Sequence, residues 1–362
     1  MAAKKVRLRD QVISLPAYVP GARPRGTMNE KLSSNENPYP PLSRVVAAVS
    51  DAAADLNRYP DMLAGELVEA IAAMFGLDVD QVVVGNGSVA VLESILAALC
   101  ERGDEVVYPW RSFEAYPIAV AVAGATGVPV PLLPDGRHDV DAMIAAITPR
   151  TKAVLLCSPN NPTGPALTDA EVRRILAALP PDVMVLLDEA YIEFVRTQDE
   201  DEPVADGVAI LREDPRLVLL RTFSKAYGLA GLRVGFALGR SRLVSGFRAT
   251  STPFGVNALA QVAALESLRA HDQLMERVDA IVDERERVVA GLRAQGWDIP
   301  EAQGNFVWFP VGDEAGVLAR AFAESGVLVR PFAGDGVRVS IGEREANDIV
   351  LAVAAEYRDS AI

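Results

Sequence analysis

One lysine, Lys225, stands in the segment Arg221-Thr222-Phe223-Ser224-Lys225-Ala226-Tyr227-Gly228-Leu229-Ala230-Gly231-Leu232-Arg233, directly behind the apolar run Leu217-Val218-Leu219-Leu220. A lysine leaving a buried strand beside a cation such as Arg233 has its ammonium disfavoured by desolvation and repulsion, so it can exist as a neutral amine and attack a carbonyl. That is Schiff-base chemistry. Thr222, Ser224 and Arg233 surround the amine with hydroxyls and a guanidinium, donors that suit a phosphate, and the two features together point to pyridoxal 5'-phosphate (PLP). A solvated lysine after an edge strand needs neither this company nor the glycines at 228, 231 and 235, which let backbone approach closely.

Other segments behind apolar runs carry groups of a matching kind. Asp188, in Asp188-Glu189-Ala190-Tyr191, is placed by its strand at the carboxyl edge of a sheet, where open α/β proteins bind ligands. It can cap a turn, or it can keep a pyridine nitrogen protonated, the form that withdraws electrons from a carbon being deprotonated. In Ser158-Pro159-Asn160-Asn161-Pro162-Thr163-Gly164 the prolines stiffen a turn that aims the Asn161 amide, and Asn161 and Tyr191 can both reach a phenolic oxygen. Gly85-Asn86-Gly87-Ser88-Val89-Ala90 fits both an anion cradle at a helix N-terminus and a loose dinucleotide fingerprint. The latter lacks the acidic residue at the end of the next strand, so the backbone amides of Gly87 to Val89 and the Ser88 hydroxyl are read as phosphate donors. Phe113 lies beyond a strand end, where it can stack on a ring or pack in the core. Arg338, between apolar neighbours in Gly336-Val337-Arg338-Val339-Ser340, can clamp a carboxylate or face solvent from an edge strand.

The elements that must position these groups alternate along the chain. Helices are expected at 42–54, 63–75, 89–100, 113–123, 139–146 and 168–178, and strands at 81–84, 105–108, 128–132, 153–157, 183–187 and 217–220. Runs without polar interruption, such as Val183-Met184-Val185-Leu186-Leu187, belong to strands buried on both faces. The class is α/β, a three-layer, mostly parallel sheet covered by helices. Residues 258–293 carry helical periodicity and many charges and are expected to lead away from the sheet as long helices. Strands at 305–309, 327–330 and 336–341 and a helix at 315–325 form a smaller α+β unit. The division is an irregular Pro/Gly-rich arm over 1–40 that also counts as part of the small domain, a large domain over 41–265 and the C-terminal small domain over 266–362.

Composition narrows the function classes. A 362-residue chain that is 50% hydrophobic buries a sizeable core, and a formal charge of −14 argues against nucleic acid or an anionic membrane as partner. No apolar run is long enough to span a bilayer, and the start Met1-Ala2-Ala3-Lys4-Lys5 leads into no signal-peptide core, so a cytoplasmic location is expected. The two cysteines, Cys100 and Cys157, read as small core residues. His138 and His271 sit in no motif, so neither a metal site nor a histidine triad is expected.

Over nearly its whole length the chain resembles the fold type I PLP-dependent aminotransferases, and among them the histidinol-phosphate aminotransferase family. The motifs that carry this are Tyr18-Val19-Pro20-Gly21, Ser34-Asn35-Glu36-Asn37-Pro38, Asn57-Arg58-Tyr59-Pro60, Asn160-Asn161-Pro162-Thr163-Gly164, Asp188-Glu189-Ala190-Tyr191, the Lys225 segment and Arg338-Val339-Ser340, in the family's order. The resemblance implies Lys225 as Schiff-base lysine, Asp188 as pyridinium partner, and Asn161 with Tyr191 at the phenolic oxygen. It also implies Ser88, Thr222, Ser224 and Arg233 at the phosphate, Phe113 on the ring, Arg338, Asn35 and Tyr18 at the substrate, and Tyr59 reaching the cofactor of the second subunit of a homodimer. The activity implied is ping-pong transfer of an amino group between an amino acid and 2-oxoglutarate. Within the family, Gly85-Asn86-Gly87-Ser88-Val89 and Trp110-Arg111-Ser112-Phe113-Glu114-Ala115-Tyr116-Pro117 look like the actinobacterial aromatic, or phenylalanine, branch. Alternatives are a histidinol-phosphate aminotransferase, a PLP decarboxylase and a PLP-sensing regulatory module; against the last, the sequence shows no basic N-terminal helix-turn-helix.

Overall fold

The computed structural model describes residues 6–13, 15, 30–196 and 201–361. In chain order they form α1 (Asp10–Ile13), β1 (Glu30–Lys31), α2 (Ser43–Ala52), α3 (Gly65–Phe75), β2 (Val82–Gly85), α4 (Ser88–Leu99), β3 (Glu105–Trp110), α5 (Ala115–Ala123) and β4 (Thr126–Pro131). Then come α6 (Val140–Ala145), β5 (Thr151–Cys157), α7 (Asp169–Ala178), β6 (Met184–Asp188), α8 (Gly207–Glu213), β7 (Leu217–Thr222), β8 (Gly235–Leu238), α9 (Ser241–Thr250), α10 (Ala258–Arg269) and α11 (His271–Ala294). The last part holds β9 (Phe306–Phe309), α12 (Ala315–Glu324), β10 (Val327–Leu328), β11 (Arg330–Phe332), β12 (Gly336–Ser340) and α13 (Arg344–Ala361).

Seven strands form one sheet in the order β2-β8-β7-β6-β5-β3-β4, parallel except for β8, which runs antiparallel to both β2 and β7. Its strands are apolar without alternation because both faces are buried. Val154, Leu156, Val185, Leu187, Leu217 and Leu219 enter a core shared with α3, α7, α8 and α10. Their neighbours Ala153, Leu155, Met184, Leu186, Val218 and Leu220 enter a second core with α4, α5 and α9. With a side-chain period of two, the result is three layers, the fold class the sequence predicts.

The helices begin where local chemistry starts them. Thr168 and Glu171 form a reciprocal capping box at α7, and the side chains of Asp139, Asp206 and Asn257 accept from the third residue beyond them at α6, α8 and α10. A separate antiparallel sheet, β11-β12-β9, belongs to the smaller unit, and the arm joins that unit through the parallel pair β1-β10. The chain then runs on beside β12, where Ser340 N donates to Leu32 O at 2.9 Å.

Sequence reading and structure differ in several elements: the arm read as irregular holds α1 and β1, and the strand expected at 327–330 is split into β10 and β11. Strand β8 and helices α8, α9 and α13 were not anticipated. α10 does not lead away from the sheet; it packs on α2 and α3, because Ala260, Ala263 and Ala264 give it a narrow apolar face that lets helices approach closely. Only α11 runs out to the small unit, where it packs on α13.

Candidate active site

The carboxyl ends of β5, β6 and β7, with the turns after β2 and β3, ring a cavity of about 480 Å³. Parallel strands end on one edge, so this is where the fold gathers polar groups from distant segments.

At its centre lies Lys225, three residues past β7. Its Nζ donates to the backbone oxygen of Ser34 at 3.0 Å and stands 5.7 Å from the ring centroid of Tyr191. The side chain keeps some surface open to the cavity, but protein surrounds it. Desolvation first, and then the Arg338 guanidinium, lower its pKa to about 7. A lysine in this state is an amine for much of the time near neutrality.

Asp188 ends β6 and is buried. Tyr116 Oη donates to its Oδ2 at 2.9 Å and the Ala190 amide to its Oδ1 at 3.3 Å, but desolvation outweighs both and pushes its pKa up to about 6. A cation placed against it would restore a normal carboxylate. Tyr191, also buried, accepts from Asn35 Nδ2 at 3.0 Å, and desolvation raises its phenol pKa.

The anion-binding corner is built by the β7–β8 connection against α4. Gly235 pairs with Thr222 on one side and Gly85 on the other. A Cβ at Gly235 would fall 2.4 Å from the Ser88 amide nitrogen, and one at Gly87, whose φ is +85°, would fall 2.6 Å from Arg233 Nη2. Glycine at both positions lets the helix N-terminus, its free amides and Arg233 converge. Arg233 Nη1 donates to Ser224 Oγ at 3.3 Å, and Ser224 N to Thr222 Oγ1 at 3.1 Å.

On the opposite wall, β12 delivers Arg338. It donates through Nη1 to Asn161 Oδ1 and through Nη2 to Ser33 O at 2.8 Å. Phe113 and Val89 also line the cavity, Phe113 edge-on to Tyr116 with centroids 5.6 Å apart.

Eleven of the expected side chains thus meet in one space: Ser88, Val89, Phe113, Asn161, Asp188, Tyr191, Thr222, Ser224, Lys225, Arg233 and Arg338. Gly87 shapes the cradle from behind. Asn35 is not on the wall; it is buried behind Tyr191, fixed by Ser340 Oγ, which donates to its Oδ1 at 3.0 Å and accepts from its amide at 2.8 Å. Tyr59 is 83% exposed, its ring tilted against Phe254 with centroids 4.9 Å apart, and it does not line this cavity. Tyr18 lies outside the described residues. Sequence reasoning missed Tyr116, whose only signal is its spacing of three from Phe113, and the Glu114–Arg330 pair on the same wall. It also missed Asn160, which organises the turn by donating to Thr163 Oγ1 and accepting from Ser112 Oγ, both at 2.7 Å.

These groups fit the expected cofactor. The cradle offers amides, hydroxyls and a guanidinium to a phosphate, Asp188 is a buried carboxylate short of a cation, and Lys225 is an amine suited to an aldehyde. Among the described residues no cluster of three or more His, Cys, Asp or Glu is placed to hold a metal ion.

Known proteins resemble the chain over nearly its whole length. The chain is 52% identical over 360 residues to the aromatic amino acid aminotransferase of Streptomyces avermitilis, covering 99% of each. It is 50% identical over 352 residues to the enzyme of that name from Thermobifida fusca, covering 97% of each. The crystal structure of histidinol-phosphate aminotransferase from Sinorhizobium meliloti in complex with pyridoxal-5'-phosphate superposes with a TM-score of 0.87 at 27% identity over the whole of both chains. The sequence model of aminotransferase class I and II matches residues 28–353, and the chain belongs to that family.

Proposed function

We propose that this enzyme binds PLP in the cavity and moves an amino group between an aromatic amino acid and a 2-oxo acid, 2-oxoglutarate being the partner acid of a ping-pong cycle. The observation that carries the reading is the convergence of Lys225, Asp188 and Arg338 on one cavity beside an anion cradle. Half-identical relatives named for aromatic amino acids support the substrate class.

Bound PLP supplies an electron sink that makes the Cα proton of an attached amino acid labile. Each residue then has a part. Ser88, Thr222, Ser224, Arg233 and the amides at the start of α4 would hold the phosphate. Asp188 would keep the ring nitrogen protonated, Asn161 and Tyr191 would serve the phenolic oxygen, and Phe113 would pack on the ring. Lys225 would hold the cofactor through its aldehyde group, and its neutral amine would take and return the proton at the substrate Cα. Arg338 clamps the α-carboxylate, exchanging its bond to Asn161 for a bidentate one.

The proposed assembly is a cytoplasmic homodimer, with the chain divided into a large unit over 41–265, a small one over 266–362 and the arm. Among the described residues no helix is long and apolar enough to cross a membrane. Tyr59, Phe254, Leu56, Met62 and Leu63 form an exposed apolar group that a second copy would cover.

Competing phenylpyruvate against imidazole acetol phosphate as acceptors of glutamate nitrogen tests the substrate. Preference for phenylpyruvate is expected. Preference for the phosphate ester would make the enzyme a histidinol-phosphate aminotransferase, and carbon dioxide release without an oxo acid would make it a decarboxylase.

A further inference from the structure

An ion pair lies directly behind the cavity, on the far face of the sheet. Along β6 and β7 the side chains alternate: Leu187 and Leu219 enter the core shared with α3, α7, α8 and α10, whereas Leu186 and Leu220 enter the one with α4, α5 and α9. Continued to the strand ends, the alternation puts Asp188 and Thr222 on one face and Glu189 and Arg221 on the other. Asp188 and Thr222 accordingly line the cavity, and Glu189 and Arg221 do not. Asp188 pairs with Leu220, so Glu189 comes level with Arg221 one step further along, where the Glu189 amide donates to Leu220 O at 2.8 Å.

Arg221 Nε donates to Glu189 Oε2 at 2.8 Å, and the two side chains are 13% and 1% exposed. The guanidinium lies 4.8 Å from the ring centroid of Phe75, the last residue of α3. Glu189 Oε1 has no hydrogen-bond partner and occupies room left by Gly207, where a Cβ would fall 2.3 Å from it. A pair buried this deeply is weak evidence for stability, since apolar side chains of similar volume often serve a fold as well or better. What it does supply is a fixed distance between two strand ends.

We propose that Glu189 and Arg221 are positioning residues: their ion pair ties the ends of β6 and β7 together from behind and so fixes Asp188 relative to Thr222. Those two side chains serve opposite ends of one cofactor, the ring nitrogen and the phosphate, so the spacing of the strand ends sets how the ring sits. Glu189 follows Asp188 and Arg221 precedes Thr222, so a single peptide unit carries the constraint to each. This inference rests on reading Asp188 and Thr222 as holders of PLP.

The test uses two variants that remove the tie without stranding a buried charge. Glu189→Gln keeps the volume, and Arg221 then retains the attraction of the half-buried Glu193. The double variant Glu189→Met, Arg221→Met makes the site apolar, and Glu193, whose carboxyl burial pushes up to about 7, can take a proton there. Melting temperature is read beside the PLP dissociation constant from fluorescence titration and beside kcat and KM of the loaded enzyme. Both variants should melt near the native protein yet bind PLP about tenfold or more weakly, with kcat falling by a similar factor. KM for the amino acid should stay close to native, because Arg338 is untouched. A folded variant with native PLP affinity and kcat overturns the proposal. So does one whose affinity falls only in step with its melting temperature, which would make the pair purely structural. Either variant decides the matter if the other does not fold. Thr222→Ala, measured alongside, should also weaken PLP binding. If it folds and does not, the reading of the cradle fails and the proposal with it; if it does weaken binding while the pair variants do not, the proposal alone fails.

Discussion

Lys225 shows how burial turns a common side chain into a reagent. In an unfolded chain its amine titrates at about 10.4, whereas the folded site lowers it to about 7, chiefly by desolvation. Between these values the unfolded chain binds more protons than the native one. Native stability therefore rises with pH through that window, and the contribution is lost as pH falls through about 7. Cofactor-free Lys225→Met should accordingly melt above the native protein at acidic pH, with an advantage that shrinks toward alkaline pH. A constant advantage across the range would mean that the amine is not desolvated. Borohydride reduction of the cofactor-loaded native protein followed by mass spectrometry should place the added mass on the peptide containing Lys225, and Lys225→Ala should show none. Asp188→Asn should keep cofactor absorbance while turnover falls by roughly 10²–10³, the scale of losing one preorganised electrostatic partner. Turnover near the native level would remove Asp188 from the mechanism. Lys225, Asp188 and Arg338 were legible in the sequence because each breaks an apolar pattern at a strand end or inside a strand. Tyr116 and Glu114 were not: they sit among ordinary helix-start residues, and only the fold brings them to Asp188 and Arg330.

At the scale of elements, the strands and helices leading into the site followed from their apolar periods, and β8 did not. Only four residues long and preceded by a glycine-rich stretch, Gly235-Phe236-Ala237-Leu238 offers no length or alternation to distinguish it from the end of the Lys225 loop. Yet β8 is what places the cradle, by wedging between β2 and β7 and pressing Gly235 against the start of α4. Gly235→Ala would drive a methyl group into backbone on both sides, 2.4 Å from Ser88 N and 3.0 Å from Arg221 O. The expected results are a loss of about 1–3 kcal/mol in stability and weaker PLP binding, read by thermal melting and by fluorescence titration. An unchanged affinity for PLP would separate the cradle from phosphate binding. Helix α10 was recognised as helix but set on the wrong path, since periodicity shows that a helix has an apolar face and not which surface will cover it.

Across the whole molecule, the arm links the two units. Ser33, Ser34 and Asn35 meet Arg338, Lys225, Tyr191, Ser340 and Asn305 within three residues of chain. No local pattern foretells this, because the partners of Asn35 lie up to 305 positions away. Ser340→Ala would strip the Asn35 amide and Oδ1 of their buried partner, with an expected cost of about 1–3 kcal/mol in stability measured by denaturant unfolding. If a second copy covers the exposed Tyr59–Phe254 group, Phe254→Glu should shift sedimentation from dimer to monomer, and a dimer that survives would place the interface elsewhere. The same long reach has a consequence in time. A ribosome adding roughly 5–20 residues per second needs roughly 15–60 s to travel from Asn35 to Ser340. Throughout that interval the nascent chain holds its Pro/Gly-rich arm with no β12 to dock on, and Lys225 emerges before Arg338 exists to lower its basicity. The amine acquires its full reactivity only when nearly the whole chain has been made, so an unfinished polypeptide is spared a lysine primed to react with stray aldehydes.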